Sequence, residues 1–186
     1  MTARKVLLLT ASPNPEGNTA VMAKEFSEAA SARGAVVTRY DMTTVLGEGC
    51  RACMACRTVS DRCVVEDGVG NVLRAFMDTD VLVMAAPVWF LEFPCSIRRF
   101  IERWHSLLTA EFESRLPSGK QAVLLISQGG TEEEFTELPA RYVAMLDWLG
   151  IKDVQIVRHC NAEQSPVHER GEIMDDVRDA AVYALG

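Results

Sequence analysis

Four of the six cysteines of this chain lie close together. Cys50, Cys53, Cys56 and Cys63 fall within fourteen consecutive positions, separated by two, two and six residues. Three thiolates at this spacing can surround a compact centre and Cys63 can supply a fourth, as in ferredoxin-type [4Fe–4S] clusters. Structural zinc sites favour two separated cysteine pairs or histidine ligands, and no histidine lies nearby. The motif therefore predicts either cluster ligands or a group of free thiols, and the residues leave both open.

A polar loop after the first apolar run is a candidate phosphate site. Residues 12–20 have the sequence Ser-Pro-Asn-Pro-Glu-Gly-Asn-Thr-Ala, and a helical pattern begins at Thr19. Asn18 is a favoured N-cap residue, and the first N–H groups of the helix would present the positive end of its dipole to an anion. The loop has neither a Walker Gly-Lys-Ser/Thr nor a dinucleotide glycine fingerprint. We predict that it binds phosphate; the alternative is an ordinary capped turn.

Two more loops follow buried apolar runs. Residues 87–90 are Pro-Val-Trp-Phe, and residues 128–130 are Gln-Gly-Gly. Aromatic side chains on a loop suit a flat ring ligand, although packing into the core is their usual fate. Two glycines allow the backbone to approach a ligand closely, although they also occur in plain turns. Together the loops predict a site for a phosphorylated ring compound.

The segments around these loops alternate between apolar runs and helical patterns. Strands are predicted at 6–9, 35–40, 81–86, 122–127 and 154–157, and helices at 19–33, 69–77, 95–108, 138–149 and 169–185. No linker, repeat or low-complexity tract interrupts them. We therefore predict one doubly wound α/β domain over residues 1–186, with a cysteine-rich loop at 47–66. In such a sheet, ligands bind beyond the carboxyl ends of the strands, near the switch in strand order.

Composition excludes several functional classes. The chain has 186 residues, 48% of them hydrophobic, and a net charge of −7 from 19 basic and 26 acidic side chains. Negative charge disfavours nucleic-acid binding, and no apolar run approaches the ~20 residues of a membrane span. The apolar run near the start is too short for a signal peptide, so we expect a cytoplasmic protein whose cysteines are reduced.

The three loops make the chain similar to the flavodoxin-like NAD(P)H-dependent FMN reductases. Its cysteine motif resembles that of the iron–sulfur flavoprotein branch of this family. The resemblance implies FMN as cofactor, a five-stranded parallel sheet in the order 2-1-3-4-5 with helices on both faces, and a homodimer or homotetramer. The chain departs from the family at Asn14, where many members carry a basic residue. The resemblance therefore does not distinguish NADH from NADPH as the electron donor.

The resemblance also implies roles for particular residues. The cofactor-binding positions it gives are Ser12, Asn14, Asn18, Thr19 and Ala20 at the phosphate, Pro87, Val88, Trp89 and Phe90 beside the isoalloxazine ring, and Gln128, Gly129 and Gly130 at the other edge of the ring. The metal ligands it gives are the four clustered cysteines. The electron donor would be NAD(P)H or a ferredoxin-like protein.

The function predicted is that of an FMN-dependent NAD(P)H oxidoreductase, or an electron-transfer protein like the iron–sulfur flavoproteins. Three alternatives stay open: a cluster-free NAD(P)H:flavin or quinone reductase, a flavodoxin-like carrier without substrate turnover, and a cysteine-rich binding or redox-sensor module. Because a flavin supplies most of the chemistry itself, no catalytic side chain is predicted. His105, His159 and His168 are interpreted as surface or structural residues.

Overall fold

Five parallel strands form one sheet in the computed structural model, which describes residues 2–186. The strands are Lys5–Thr10 (β1), Val36–Asp41 (β2), Val81–Pro87 (β3), Gln121–Ser127 (β4) and Asp153–His159 (β5). Their order is β2-β1-β3-β4-β5, which confirms the predicted order. The switch in strand order lies between β1 and β3, so the loops that follow these two strands meet at the same edge of the sheet.

Six α-helices are present within residues 2–186. They are Asn18–Ala32 (α1), Ala55–Thr58 (α2), Gly68–Asp78 (α3), Cys95–Glu102 (α4), Glu137–Trp148 (α5) and Gly171–Leu185 (α6). All but the four-residue α2 contribute to the two cores that cover the sheet. Side chains of β1 alternate between two cores, because successive residues of a strand point to opposite faces. Leu7 belongs to the core that includes residues of α3, α4 and α5, whereas Leu8 belongs to the core that includes residues of α1 and α6. The predicted two-sided α/β architecture is confirmed.

Two helix boundaries differ by more than one residue from those predicted. The helix expected to reach Leu108 ends at Glu102 and continues as a 3-10 helix over Arg103–Leu107. The Ser106 hydroxyl donates to the Arg103 carbonyl at 2.8 Å, and such local side-chain bonds compete with α-helical pairing. The last helix begins at Gly171, after a separate 3-10 turn over Val167–Glu169. Within residues 2–186, no helix is long and apolar enough to cross a membrane.

Candidate functional site

A cleft of about 250 Å³ lies beyond the carboxyl ends of the central strands. It is lined by Ser12, Asn18, Thr19, Pro87, Val88, Trp89, Ser127, Gln128, Gly129, Ala162 and Glu163. The three loops singled out in the sequence therefore converge on one site. Of the predicted cofactor-binding residues, Asn14, Ala20, Phe90 and Gly130 do not line this cleft.

The first turn of α1 faces the cleft without a side-chain cap. Gly17 is the N-cap residue, so the expectation that Asn18 caps the helix is wrong. The Asn18 carboxamide instead accepts a hydrogen bond from the Val167 backbone N–H at 3.0 Å. This long-range contact holds the loop after β5 against the cleft. The Ala20 N–H donates to the Gly17 carbonyl at 2.9 Å, whereas the N–H groups of Asn18 and Thr19 precede the first helical bond and are available to an anion.

Asn14 shapes the polar loop of residues 12–20 rather than lining the cleft. Its backbone N–H donates to the Ser12 hydroxyl oxygen at 3.2 Å. Its side-chain oxygen accepts from the Glu16 N–H at 3.0 Å, and its carbonyl accepts from the Gly17 N–H at 3.1 Å. These turns bring Ser12 beside the start of α1. Ala20 lies on the other side of the loop, in a depression that it shares with Pro13 and Pro15.

The aromatic loop is a two-residue hairpin. Trp89 and Glu92 exchange backbone hydrogen bonds of 2.9 and 3.1 Å. The two residues between them, Phe90 and Leu91, have φ angles of 49° and 69°, the left-handed pair that a type I′ turn requires. Because of this turn Phe90 projects into solvent, 99% exposed, whereas Trp89 lines the cleft. The structure thus places one of the two predicted aromatic residues at the site.

Gln128 supports the glycine loop and has its polar groups engaged elsewhere. Its side-chain N–H groups donate to the carbonyls of Thr131 and Glu134, and its side-chain oxygen accepts from Arg158. Its backbone N–H donates to His159 and its carbonyl accepts from Ala162. Gln128 and Gly129 both line the cleft, but the polar groups of the Gln128 side chain already have partners within the protein.

Gly130 is a glycine for reasons of packing. A Cβ atom at this position would lie 2.7 Å from a ring carbon of Phe135 and 2.8 Å from a carboxylate oxygen of Glu134. Both distances are below normal contact, so a side chain would push the Phe135 ring and the Glu134 carboxylate aside. The second glycine of the motif therefore shapes the loop and does not line the cleft.

Three cleft residues were missed from the sequence. Ser127 ends an apolar strand, and a polar residue at that point was a usable signal because ligands bind at strand ends. Ala162 and Glu163 follow β5, whose loop reaches the cleft because β5 pairs with β4. No local pattern marks this loop, since its position depends on the bonds it makes to Asn18 on α1.

The four clustered cysteines border a second, smaller cavity of about 20 Å³. Cys50 and Cys53 are exposed, Cys56 is buried and Cys63 is partly buried. Two non-glycine residues between the cysteines, Ala52 and Met54, have left-handed φ angles of 53° and 58°. Such backbone strain tends to concentrate at functional sites. Burial raises the pKa of the Cys56 thiol, and the neighbouring thiols Cys63 and Cys50 raise it further.

A buried arginine fastens the cysteine loop to the fold. Arg103, 1% exposed, donates to the Cys63 sulfur at 3.2 Å and to the Val65 carbonyl at 2.7 Å, and it forms an ion pair with Asp67. Asp67 in turn caps α3 by accepting from the Gly70 N–H at 2.7 Å. Even so, across residues 2–186 no three His, Cys, Asp or Glu side chains are arranged to hold a metal ion.

Comparison with known proteins agrees with this fold. Residues 4–182 match the family model Flavodoxin_2, described as a flavodoxin-like fold. An FMN-dependent NADH:quinone oxidoreductase of Clostridium perfringens is 29% identical over 116 residues, which cover 59% of each chain. An iron–sulfur flavoprotein of Methanocaldococcus jannaschii is 24% identical over 129 residues, covering 69% of this chain and 66% of that protein. The matched segment thus spans less than two thirds of these relatives.

Solved structures resemble the chain over nearly its whole length. A Bacillus anthracis FMN-dependent NADH-azoreductase in complex with FMN superposes with a TM-score of 0.79 at 15% identity, covering 98% of this chain and 100% of that one. For an NAD(P)H:quinone oxidoreductase of Methanothermobacter marburgensis the TM-score is 0.76 at 18% identity, with 97% and 96% covered. At these identities the likeness shows the fold.

Proposed function

This chain belongs to the Flavodoxin_2 family, which has the flavodoxin-like fold, and from that premise we propose that it is an FMN-dependent oxidoreductase that takes electrons from NAD(P)H. The observation that carries the proposal is the cleft, where an uncapped helix N-terminus, a tryptophan and a glycine edge line one space. These features suit a phosphate, a flat ring and close backbone contact, respectively.

The residues of the cleft fit FMN by their chemistry. Ser12 and the first N–H groups of α1 would hold the phosphate, and their dipole would favour its negative charge. Trp89 and Pro87 would lie against the ring, and Gly129 would border its edge. When bound, FMN supplies hydride and electron transfer by itself. The work of the chain is then to bind the cofactor, orient it and leave one face open to donor and acceptor.

The names of the relatives support the choice of donor and acceptor. The Clostridium perfringens relative is named as an NADH:quinone oxidoreductase, and a solved structural neighbour as an NAD(P)H:quinone oxidoreductase. We therefore propose a quinone as the acceptor class. A flavodoxin-like carrier would bind FMN without turnover, so steady-state NADH oxidation in the presence of a soluble quinone separates the two functions.

The deciding experiment is cofactor binding by the purified chain. We expect FMN, identified by mass spectrometry of the released cofactor, to bind one per chain. Ser12→Ala should weaken FMN binding about ten- to a hundredfold, because charge-assisted hydrogen bonds contribute about 1.5–3 kcal/mol. Ser118→Ala, at an exposed serine before β4, is the control and should bind FMN as tightly as the unaltered chain. Release of FAD, or no flavin uptake, contradicts the proposal.

The cysteine loop supports a second candidate, in which the chain also holds a [4Fe–4S] cluster and accepts electrons from a ferredoxin-like protein. In its favour, four thiols border one cavity, and thiolates are the ligands that such clusters use. Against it, a cavity of about 20 Å³ has room for little more than a water molecule. As arranged, the residues do not fit the cluster, so the reaction proposed above runs on FMN alone.

Iron and acid-labile sulfide assays on anaerobically prepared protein decide between the candidates. An iron content of about four per chain would establish the cluster if serine at any one of four positions lowers that content while FMN stays bound. The four positions are Cys50, Cys53, Cys56 and Cys63. Full flavin occupancy with no iron and four freely titrating thiols would leave the cluster-free reductase.

We also propose that the chain forms a homodimer or homotetramer. The hairpin tip beside the cleft exposes Phe90 and Leu91, 99% and 57% accessible, and adjacent exposed apolar side chains often mark interaction surfaces. Light scattering after size-exclusion chromatography tests this directly, and a monomer at micromolar concentration contradicts it.

A further inference from the structure

The cysteine loop is the part of this chain that the proposed reaction leaves unused. Cys56 and Cys63 both border the cavity of about 20 Å³, and the acidic, cysteine and histidine side chains of residues 2–186 form no group of three that could hold a metal ion. A cavity of this size holds about one water molecule, so the side chains that border it are near neighbours. Two neighbouring thiols can react with each other by oxidation to a disulfide.

A second observation selects the same pair. Burial is the main cause that raises the pKa of the Cys56 thiol, and among the other thiols Cys63 raises it more than Cys50 or Cys53 does. Repulsion between two like charges grows as they approach each other. The order of these effects therefore indicates that Cys63 is the thiol nearest to Cys56.

Two arginines from outside the loop hold the members of this pair. Arg103, which is 1% exposed, donates from Nη2 to the Cys63 sulfur at 3.2 Å. Arg115 donates from Nη2 to the Cys56 carbonyl at 3.3 Å. The two thiols therefore keep their relative position although α2, which carries Cys56, has only four residues.

The two thiols differ in their access to solvent. Cys63 also lines a larger cavity of about 280 Å³, and exposed residues, among them Arg62 and Arg74, form part of its lining. Cys56 does not line this cavity and is 9% exposed. A small oxidant can therefore reach Cys63 through the larger cavity, while Cys56 faces Cys63 from the protein side.

We propose that Cys56 and Cys63 form a dithiol site that hydrogen peroxide converts to a disulfide, with Cys63 reacting first and Cys56 as the resolving thiol. In the first step the Cys63 sulfur attacks a peroxide oxygen, an S–O bond forms, the O–O bond breaks, and the departing oxygen takes the thiol proton and leaves as water.

In the second step the Cys56 sulfur attacks the Cys63 sulfur. An S–S bond forms, the S–O bond breaks, and the hydroxyl group leaves as a second water with the proton of Cys56. The two thiols together lose two electrons, and one peroxide is reduced to two waters. This site uses no residue of the flavin cleft, so the inference goes beyond the proposed function.

Peptide mapping after peroxide treatment tests the pairing. Trypsin cleaves after the arginines of the loop, so Cys56 falls in the peptide 52–57 and Cys63 in the peptide 63–74. We expect the reduced, purified chain, treated with equimolar hydrogen peroxide, to yield these two peptides joined by a disulfide. Dithiothreitol should release them again.

Single variants separate the two roles. Cys56→Ser should leave Cys63 as a sulfenic acid, which dimedone labels, and Cys63→Ser should abolish the link without placing the label on Cys56. Cys53→Ser, in the same tryptic peptide as Cys56, is the matched control and should form the link as the unaltered chain does. Cys95→Ser is a second control, because Cys95 is exposed and lies outside the loop, and this variant should also form the link.

Several outcomes would overturn the inference. These are a disulfide through Cys50 or Cys53, equal oxidation of all six cysteines, or six free thiols after treatment. Iron at about four per chain would also overturn it, because the thiols would then be cluster ligands. None of these results bears on FMN binding, and a chain that binds no flavin would contradict the proposed function while leaving this pairing to be judged by the peptide map.

Discussion

The Tyr142 hydroxyl on α5 donates to a carboxylate oxygen of Glu92 at 2.7 Å. This bond ties the aromatic hairpin of the cleft to α5, where the Tyr142 ring also packs against Phe93 at 4.2 Å between ring centroids. Glu92 also accepts from the Phe93 N–H at 2.9 Å and pairs with Arg141 at 3.1 Å. Since Tyr142 is fully buried, its hydroxyl depends on this partner, and the hairpin that carries Trp89 is fixed by a residue outside the cleft.

We therefore predict that Tyr142→Phe destabilises the chain and loosens the hairpin. The substitution leaves a carboxylate short of one donor, and removing a single partner of a charged hydrogen bond costs about 1–3 kcal/mol. Urea unfolding should show this loss, and FMN affinity should fall with it because Trp89 is less well held. Tyr183→Phe, at a tyrosine 53% exposed on α6, is the matched control and should change neither quantity.

The environment of the Glu92 carboxylate leads us to predict that the chain loses stability in acid. Burial alone would raise the pKa of Glu92, but the Tyr142 hydroxyl, the Phe93 N–H and the nearby guanidinium groups together lower it. A lowered folded-state pKa stabilises the fold above the unfolded value, which is about 4.3 for Glu, and this stabilisation disappears as pH falls through the folded value.

Urea midpoints between pH 7 and pH 3 measure this effect. The midpoint should fall below about pH 4.3, and the fall should be smaller in Glu92→Gln, which has no carboxylate to protonate. Asp67 contributes to the remaining slope, since its bonds to the Gly70 N–H and to Arg103 outweigh its burial and lower its pKa. Identical pH profiles for the natural chain and Glu92→Gln would refute the role assigned to Glu92.

The hairpin geometry predicts different roles for two neighbouring aromatic residues. Trp89 lines the cleft and Phe90 projects into solvent, so Trp89 alone should lie close enough to quench the fluorescence of bound flavin. Trp89→Ala should raise the emission of bound FMN, and Phe90→Ala should leave it unchanged. Both proteins should be compared at saturating FMN, which separates quenching from affinity. Equal brightening in the two variants would mean that the ring lies elsewhere.

Much of the fold followed from the sequence because it depends on local signals. Continuous apolar runs identified the central strands, and the alternation of strands with helical patterns identified the architecture. The three loops of the cleft were found because each directly follows a strand. The roles of single residues in those loops were harder to predict. Asn18 was expected to cap its own helix, yet its side chain accepts a hydrogen bond from Val167, 149 positions away.

The roles that were missed depend on tertiary contacts. Phe90 leaves the cleft because the backbone of Trp89 pairs with that of Glu92, and no glycine or asparagine announces this turn. The buried His159 ring contacts the Ser127 hydroxyl on β4 and the Ser165 carbonyl on the following loop. β5 contains several polar residues, and nothing in its sequence indicates which of them has a buried partner.

Lys120 illustrates the same point and carries the last prediction. It precedes β4 and is 6% exposed, and its ammonium group donates to the carbonyls of Phe76 and Met77 at 3.0 Å each and to that of Thr79. These carbonyls lie at the end of α3, where the helix leaves acceptors unpaired and its dipole favours a cation.

Lys120→Met keeps the apolar stem but leaves the carbonyls without a donor, so we predict a loss of about 1–3 kcal/mol in the free energy of unfolding. Lys152→Met, at an exposed lysine, should stay within about 0.5 kcal/mol when both are measured by urea unfolding at neutral pH. Because burial lowers the pKa of Lys120, the charged amine is itself costly to bury, and a Lys120→Met variant as stable as the Lys152→Met control would show that this cost cancels the three bonds.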